Sequence, residues 1–276
     1  MAAMTLVGPA TIRLQQQPPL PLSSSGQRFI IMDMVVVPGR RLLLTDFEHN
    51  SVLLVDSQEG RVLSIVTVAS EPYGVCMVHA ASAAVALPDD KRVQYVYVNS
   101  DSLTLGKFVA VGGDVHGVSV QGDGLVVTYQ KPPAVEVVTQ EGKQFHRLDN
   151  ISAGKELFIN PWNVAVSGDI VFVSDWSTHA ITMLSDQLQL LATFSQPDLL
   201  NMPHGIIALN DDQLLVCDTC SHNIVLLQPS SGRMSTILEE KDGLYQPFAL
   251  VFCHHSRTLY ITPFRYTNSI KRYKLH

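Results

Sequence analysis

HGIIALNDDQLLVCDTCSHNIVLLQPSSGRMSTIL, residues 204–238, divides into four short apolar runs separated by polar turns. The runs are His204–Leu209, Gln213–Cys217, Ile224–Gln228 and Arg233–Leu238, with Pro229-Ser-Ser-Gly232 as the last connection. Runs of that length, rich in Ile, Val and Leu and bounded by Asn, Asp, Ser, Pro and Gly, read as strands joined by hairpins. Residues 162–194 repeat the arrangement as Trp162–Val166, Ile170–Ser174, Ile181–Leu184 and Leu188–Phe194. So do residues 30–68, as Ile30–Val37, Leu42–Thr45, Val52–Asp56 and Val62–Val68. The opening of the unit returns as Met-Asp-Met-Val (32–35), Tyr-Gly-Val (73–75), His-Gly-Val (116–118), Trp-Asn-Val (162–164), His-Gly-Ile (204–206) and Phe-Ala-Leu (248–250). Six units of about 43 residues, with about four strand-like runs in each, predict an all-β, six-bladed β-propeller.

The sixth unit stops early. Pro247–Cys253, Thr258–Thr262 and Ser269–Leu275 supply three strands, and the sequence given ends at His276. An open ring would leave unpaired strand edges, which invite aggregation. The missing strand is therefore expected from the N-terminus, at about Met4–Leu14. A flexible Gln/Pro/Ser-rich tether is expected to follow it to residue 27, with the propeller proper over 28–276.

Of the 276 residues, 46% are hydrophobic and 16% charged, and the net charge is −6, which suits a soluble domain with an extensive core. No apolar run is long enough to span a bilayer, and the first residues lack the basic and long apolar regions of a secretory signal. A cytoplasmic location is expected. Cys76 and Cys253 fall in inner strands as small core residues. Cys217-Asp-Thr-Cys220 has no second pair to complete a zinc site, and no RING or B-box spacing occurs. Phosphate loops, nucleophile elbows and H-E-x-x-H are absent as well, so no cofactor is expected.

Strand b often ends in Asp, followed by a polar loop and a new apolar start: Asp46…Asn50…Val52, Asp175…His179…Ile181, Asp218…Asn223-Ile224. Such an Asp can accept backbone N–H bonds within the turn. Together with Pro72-Tyr-Gly74-Val75 and Pro203-His-Gly205-Ile206, this pattern resembles the NHL repeat over about nine-tenths of the chain. Pro88, Tyr129 and Pro263 stand near the Asp position in the other three units. Ser51, Ala180 and Asn223 stand where the family often has Arg. The resemblance implies an NHL/TolB-like propeller, similar to the C-terminal domain of tripartite-motif (TRIM) NHL-class ubiquitin ligases. There the propeller selects substrate proteins or RNA, while RING, B-box and coiled-coil modules are encoded outside the part seen here.

Antiparallel order puts the b–c loops and d–a connections on one face. Asp46, Glu48, Glu71, Asp89, Asp90, Asp114, Asp149, Glu156, Asp175, Asp198, Asp218, Glu239, Glu240 and Asp242 outnumber Lys91, Arg92, Lys131, Lys155, Lys241 and Arg265 there. That sign disfavours nucleic acid, whose binding rests on phosphate neutralisation. Aromatic residues on the same face fit a protein or peptide partner. The expected contact set is Tyr129, Trp162, Trp176, Arg265 and Tyr266, with Tyr73, His116, His204 and Phe248 ringing the channel mouth. Phe47 is expected to be buried. Two alternatives stand beside this reading. One is a hydrolase or lyase with a metal held by Asp33, His116 and His204, although Asp33 lies one position out of register with the histidines. The other is an RNA-binding NHL domain.

Overall fold

Strands of alternating apolar residues bury both faces here, because each sheet is sandwiched between two neighbours. The computed structural model describes residues 12–22, 27–151, 154 and 156–276. Among them, 24 strands form six four-stranded antiparallel sheets arranged as blades. Blade 1 comprises Ile31–Val37, Arg41–Asp46, Ser51–Asp56 and Val62–Thr67, strands a to d from the axis outwards. The innermost strands of blades 2 to 5 are Val75–His79, Val115–Gln121, Pro161–Ser167 and Pro203–Asn210. No helix is long and apolar enough to cross a membrane among the described residues.

Hydrophobic packing sits between blades. Leu43 and Leu54 of blade 1 meet Ala83 and Val85 of blade 2, while Leu42, Leu44 and Leu53 turn the other way, to blade 6. The period-2 alternation of a strand thus serves two interfaces at once. Four further clusters of the same kind close the circle, the one between blades 5 and 6 built on Leu215, Ile224, Leu250 and Ile261.

Blade 6 holds Pro247–Cys253, Thr258–Pro263 and Ser269–Leu275, and its fourth strand comes from the N-terminus as expected. The position differs. Leu14–Pro21 is the closing strand, antiparallel to Ser269–Leu275 with Leu14 opposite Leu275 and Pro21 opposite Ser269. Most of it lies in the stretch expected to be a tether, whereas residues 4–11 fall outside the described residues. The reason is local. Leu20 and Leu22 are fully buried, while Pro18 and Pro19 occupy a register break on the sheet's outer edge. A proline is tolerated there because no further strand needs its N–H.

The b–c loops repeat one backbone device. Asn50, His179 and His222, with Lys91 in blade 2, each adopt positive φ just before strand c. Asn at that place needs little explanation, since its short amide tolerates the left-handed region. The terminal Asp of strand b fixes the other end of the loop. Asp175 accepts N–H bonds from Ser177 and Thr178 in its own loop and from Ile159 and Asn160 in the preceding connection. Asp218 does the same for Asn201 and Met202, and Asp46 for Ile30. These three carboxylates are buried structural caps, spent on backbone N–H groups rather than displayed on the exposed face.

Candidate functional site

Met32, His116, Trp162, His204 and Phe248 are the second residues of their inner strands and Tyr73 stands two residues before its own, and the five that carry rings pack together at the axis. Their rings fill the channel. Trp162 contacts Tyr73 at 5.5 Å between centroids, His116 at 4.9 Å, His204 at 5.2 Å and Phe248 at 5.5 Å, so one indole touches four blades. Tyr73–His116 at 4.5 Å and His204–Phe248 at 4.6 Å complete the plug. Edge-on and tilted geometries dominate, as the ring quadrupoles favour. Burial pushes both imidazoles down to about 4, leaving them neutral at physiological pH. His204 spends Nδ1 on Thr219 Oγ1 (2.9 Å) and the Met202 carbonyl, while His116 Nδ1 is buried without a partner.

The metal arrangement considered from sequence does not form. Both histidines pack on Trp162, Asp33 sits one layer deeper, and no group of three His, Cys, Asp or Glu side chains gathers among the described residues.

That deeper layer explains the repeated glycine. A Cβ at Gly74 would lie 2.6 Å from the His116 carbonyl, at Gly117 2.7 Å from that of Trp162, and at Gly205 2.4 Å from that of Phe248. Adjacent blades approach too closely for a side chain directed there. Asp33 and Asn163, from facing blades, are the polar members of this layer. Asp33 accepts the N–H groups of Met34 (2.9 Å) and Val75 (3.0 Å), and Asn163 accepts that of Val164 (2.7 Å). Burial raises the Asp33 carboxyl to about 7, against the lowering pull of those N–H groups and of Asn163. Folded protein therefore keeps this proton while unfolded chain releases it near pH 4. Its contribution to stability is present below that point and is lost as pH rises from about 4 to about 7. Asp33→Asn removes the titration. Unfolding free energies from urea titration should shift in favour of the variant, relative to wild type, by roughly 4 kcal/mol between pH 4 and pH 8. The depressed histidines titrate alike in both proteins and cancel. A wild-type–variant difference that stays flat across this range would refute the assignment.

Around the plug lies a rim contributed mainly by blades 4 to 6. Trp176 is half-buried and stacks on His204 at 6.4 Å, with its indole N–H unpartnered. Phe264 stacks near His204 at 6.1 Å and packs on Phe248 at 4.6 Å, yet is 46% exposed. Tyr266 is 49% and Tyr245 43% exposed, and the Arg265 guanidinium lies over the Tyr245 ring at 4.5 Å. Tyr245 and Phe264 are members of this rim that the sequence reading left out of its contact set. Tyr73, His116 and Trp162 remain half-buried at the mouth, whereas His204 and Phe248 are closed beneath it. Phe47 packs edge-on to Tyr73 and against the blade 6–blade 1 core.

Tyr129 does not belong to this surface. It is fully buried, donates to Glu136, receives the Gly112 N–H at 3.2 Å and lies under Arg147. Its loop-end position suggested display, but Glu136 on the neighbouring strand draws the phenol inwards. A lone acid in the apolar run Ala134–Val138 was the available signal.

Sequence reasoning also missed the hydroxyls that stitch blades together. Thr45 Oγ1 accepts the Asp33 N–H (3.0 Å) and donates to the Tyr73 carbonyl of the next blade (2.6 Å). Thr128 joins Gly117 to Trp162 in the same manner, at 2.8 Å on both sides. Ser174 joins Asn163 to His204. Thr45 and Ser174 immediately precede the Asp that ends strand b, so Thr-Asp and Ser-Asp were legible had the pair been read together, whereas Thr128 is followed by Tyr129.

Comparison with known proteins agrees with this architecture. The NHL-repeat family matches residues 200–225, the start of blade 5 through the beginning of its third strand. No curated protein sequence matches the chain. Among solved structures, a catalytically inactive virginiamycin B lyase from Staphylococcus aureus, with quinupristin, is 13% identical. That likeness covers 96% of this chain and 100% of the other, at a TM-score of 0.68. A streptogramin B lyase is 11% identical over 96% and 98%, with a TM-score of 0.69. Kuenenia stuttgartiensis hydrazine synthase is 14% identical over 87% and 76%, with a TM-score of 0.63. At such identities the likeness is one of fold.

Proposed function

We propose that this propeller is a non-catalytic recognition module that binds a protein or peptide across the aromatic rim. The observation that carries this is the juxtaposition of exposed Phe264, Tyr266 and Tyr245 with Arg265 and half-buried Trp176, on a floor of packed rings. Aromatic and Arg side chains over a rigid base lose little entropy on binding and dominate interface energetics. Tyr73, His116 and Trp162 line the mouth, and His204 and Phe248 hold the floor. The repeat signature supports placing the module in a TRIM-like ubiquitin-ligase setting in the cytoplasm. There it would select the substrate protein for modules supplied elsewhere. Nucleic acid is not the proposed partner, because acidic residues prevail around the rim. A lyase reading has weaker support, since the channel imidazoles are enclosed in ring packing rather than aimed at open space.

Peptides selected from a random displayed library on immobilised wild-type chain provide the test. Trp176→Ala and Tyr266→Ala should each weaken the selected peptides about thirty-fold, the scale of an interface hot spot, with melting temperature unchanged. Peptides indifferent to both substitutions would sink the assignment.

A further inference from the structure

The opposite face carries a different kind of opening. Between blades 6 and 1 the a–b and c–d turns enclose a cavity of about 840 Å³. Its floor is apolar, with Val37, Leu42 and Tyr260 buried and Val36 half-buried. Its wall is basic: Arg40, Arg41, Arg272 and Lys274, accompanied by His255 and His276. No Asp or Glu side chain lines it, in a chain whose net charge is −6.

None of the four permanent cations forms an ion pair with a side-chain carboxylate among the described residues. They are held by neutral oxygens instead. Arg41 donates Nε and a terminal N–H to the Pro38 carbonyl at 2.9 and 2.7 Å. Arg40 reaches Gln58 Oε1 at 3.2 Å, Arg272 the Pro18 carbonyl at 2.8 Å, and Lys274 the Ser256 carbonyl. A guanidinium has five N–H donors, so each arginine retains several for a ligand. Carbonyl contacts orient the cations without neutralising them.

We propose that this cavity is a binding site for a phosphorylated small molecule with an apolar body. Convergent arginines match phosphate oxygens in bidentate fashion, and lysine adds a point charge. The volume is that of a small-ligand pocket. A polynucleotide would require a basic groove tracking several nucleotides, whereas these cations surround one hollow at a single blade junction.

Calorimetric titration of the whole chain with inorganic pyrophosphate, ADP and inositol hexakisphosphate, at about 150 mM salt, tests the proposal. At least one probe should bind with one-to-one stoichiometry. Arg40→Glu, in an exposed turn, and Lys274→Gln should each weaken it about tenfold or more while the protein melts as wild type does. A bound probe should also raise the wild-type melting temperature. Preference for ADP over pyrophosphate would show the apolar floor in use. Absence of binding by all three, affinity that survives both substitutions, or tighter binding of a single-stranded RNA or a phosphopeptide than of any probe would overturn it. Trp176→Ala leaves this site intact, so its behaviour is separable from that of the aromatic rim.

Discussion

Deleting residues 1–22 should lower the unfolding temperature by about 10 °C or more and promote aggregation. The strand lost, Leu14–Pro21, is the outer member of blade 6 and pairs along the length of Ser269–Leu275. Leu20 and Leu22 are wholly buried in the cluster shared by blades 6 and 1, and each contributes about 1.5–3 kcal/mol by burial alone. Arg272 loses the Pro18 carbonyl that holds its guanidinium. The ladder of Ser269–Leu275 becomes an exposed edge open to other chains. Together these losses approach the whole stability of an ordinary domain, about 5–15 kcal/mol. Differential scanning fluorimetry and light scattering read both effects. Leu20→Ala isolates the packing part and should cost about 2–5 kcal/mol. A truncated chain that melts within a few degrees of wild type would show that the ring closes by other means.

The second large effect is expected at the axis. Trp162→Ala should destabilise by about 3–5 kcal/mol in urea denaturation, the usual cost of emptying a packed aromatic site. The substitution removes the one ring that touches Tyr73, His116, His204 and Phe248 together. Little relaxation can fill the space, because carbonyl approaches at Gly74, Gly117 and Gly205 fix how near the blades come. Trp162→Phe should recover most of the loss by keeping a ring in the plug. Were alanine to cost less than about 1 kcal/mol, Trp162 would be a loosely held mouth residue and the channel would be open.

The propeller was legible because its evidence is local and repeated. Alternating Val, Ile and Leu mark strands wherever both faces meet another blade, and the observed Pro203–Asn210 and Gln213–Asp218 fall within a residue or so of the expected runs. The closing strand was expected in kind and displaced in position. Gln15-Gln-Gln-Pro-Pro19 resembles a linker by composition, and only Leu20 and Leu22, reached from an outer edge, reveal that it pairs. Pairing between segments some 250 residues apart leaves no periodic trace. At the candidate site, the channel-mouth residues followed directly from strand order. Which aromatic rings stay in solvent did not follow. Tyr129 and Tyr266 both read as loop aromatics in the sequence, yet Tyr129 lies within strand b, where Glu136 on the adjacent strand holds it inward, and Tyr266 lies three residues beyond its strand b and stays exposed. Tyr245 entered the rim through Arg265 and His222, contacts that depend on how two blades meet.

The stacked rings on the axis, backed by Asp33 and Asn163, belong to the face with the aromatic rim, and the basic cavity opens on the other. The basic cavity lies at the junction of blades 6 and 1 on the far face, so occupancy of the aromatic rim need not displace whatever sits in it. Free energies of association at the two ends should therefore add. Such a disc can act as a bridge, gripping a polypeptide on one side while carrying a small charged passenger on the other.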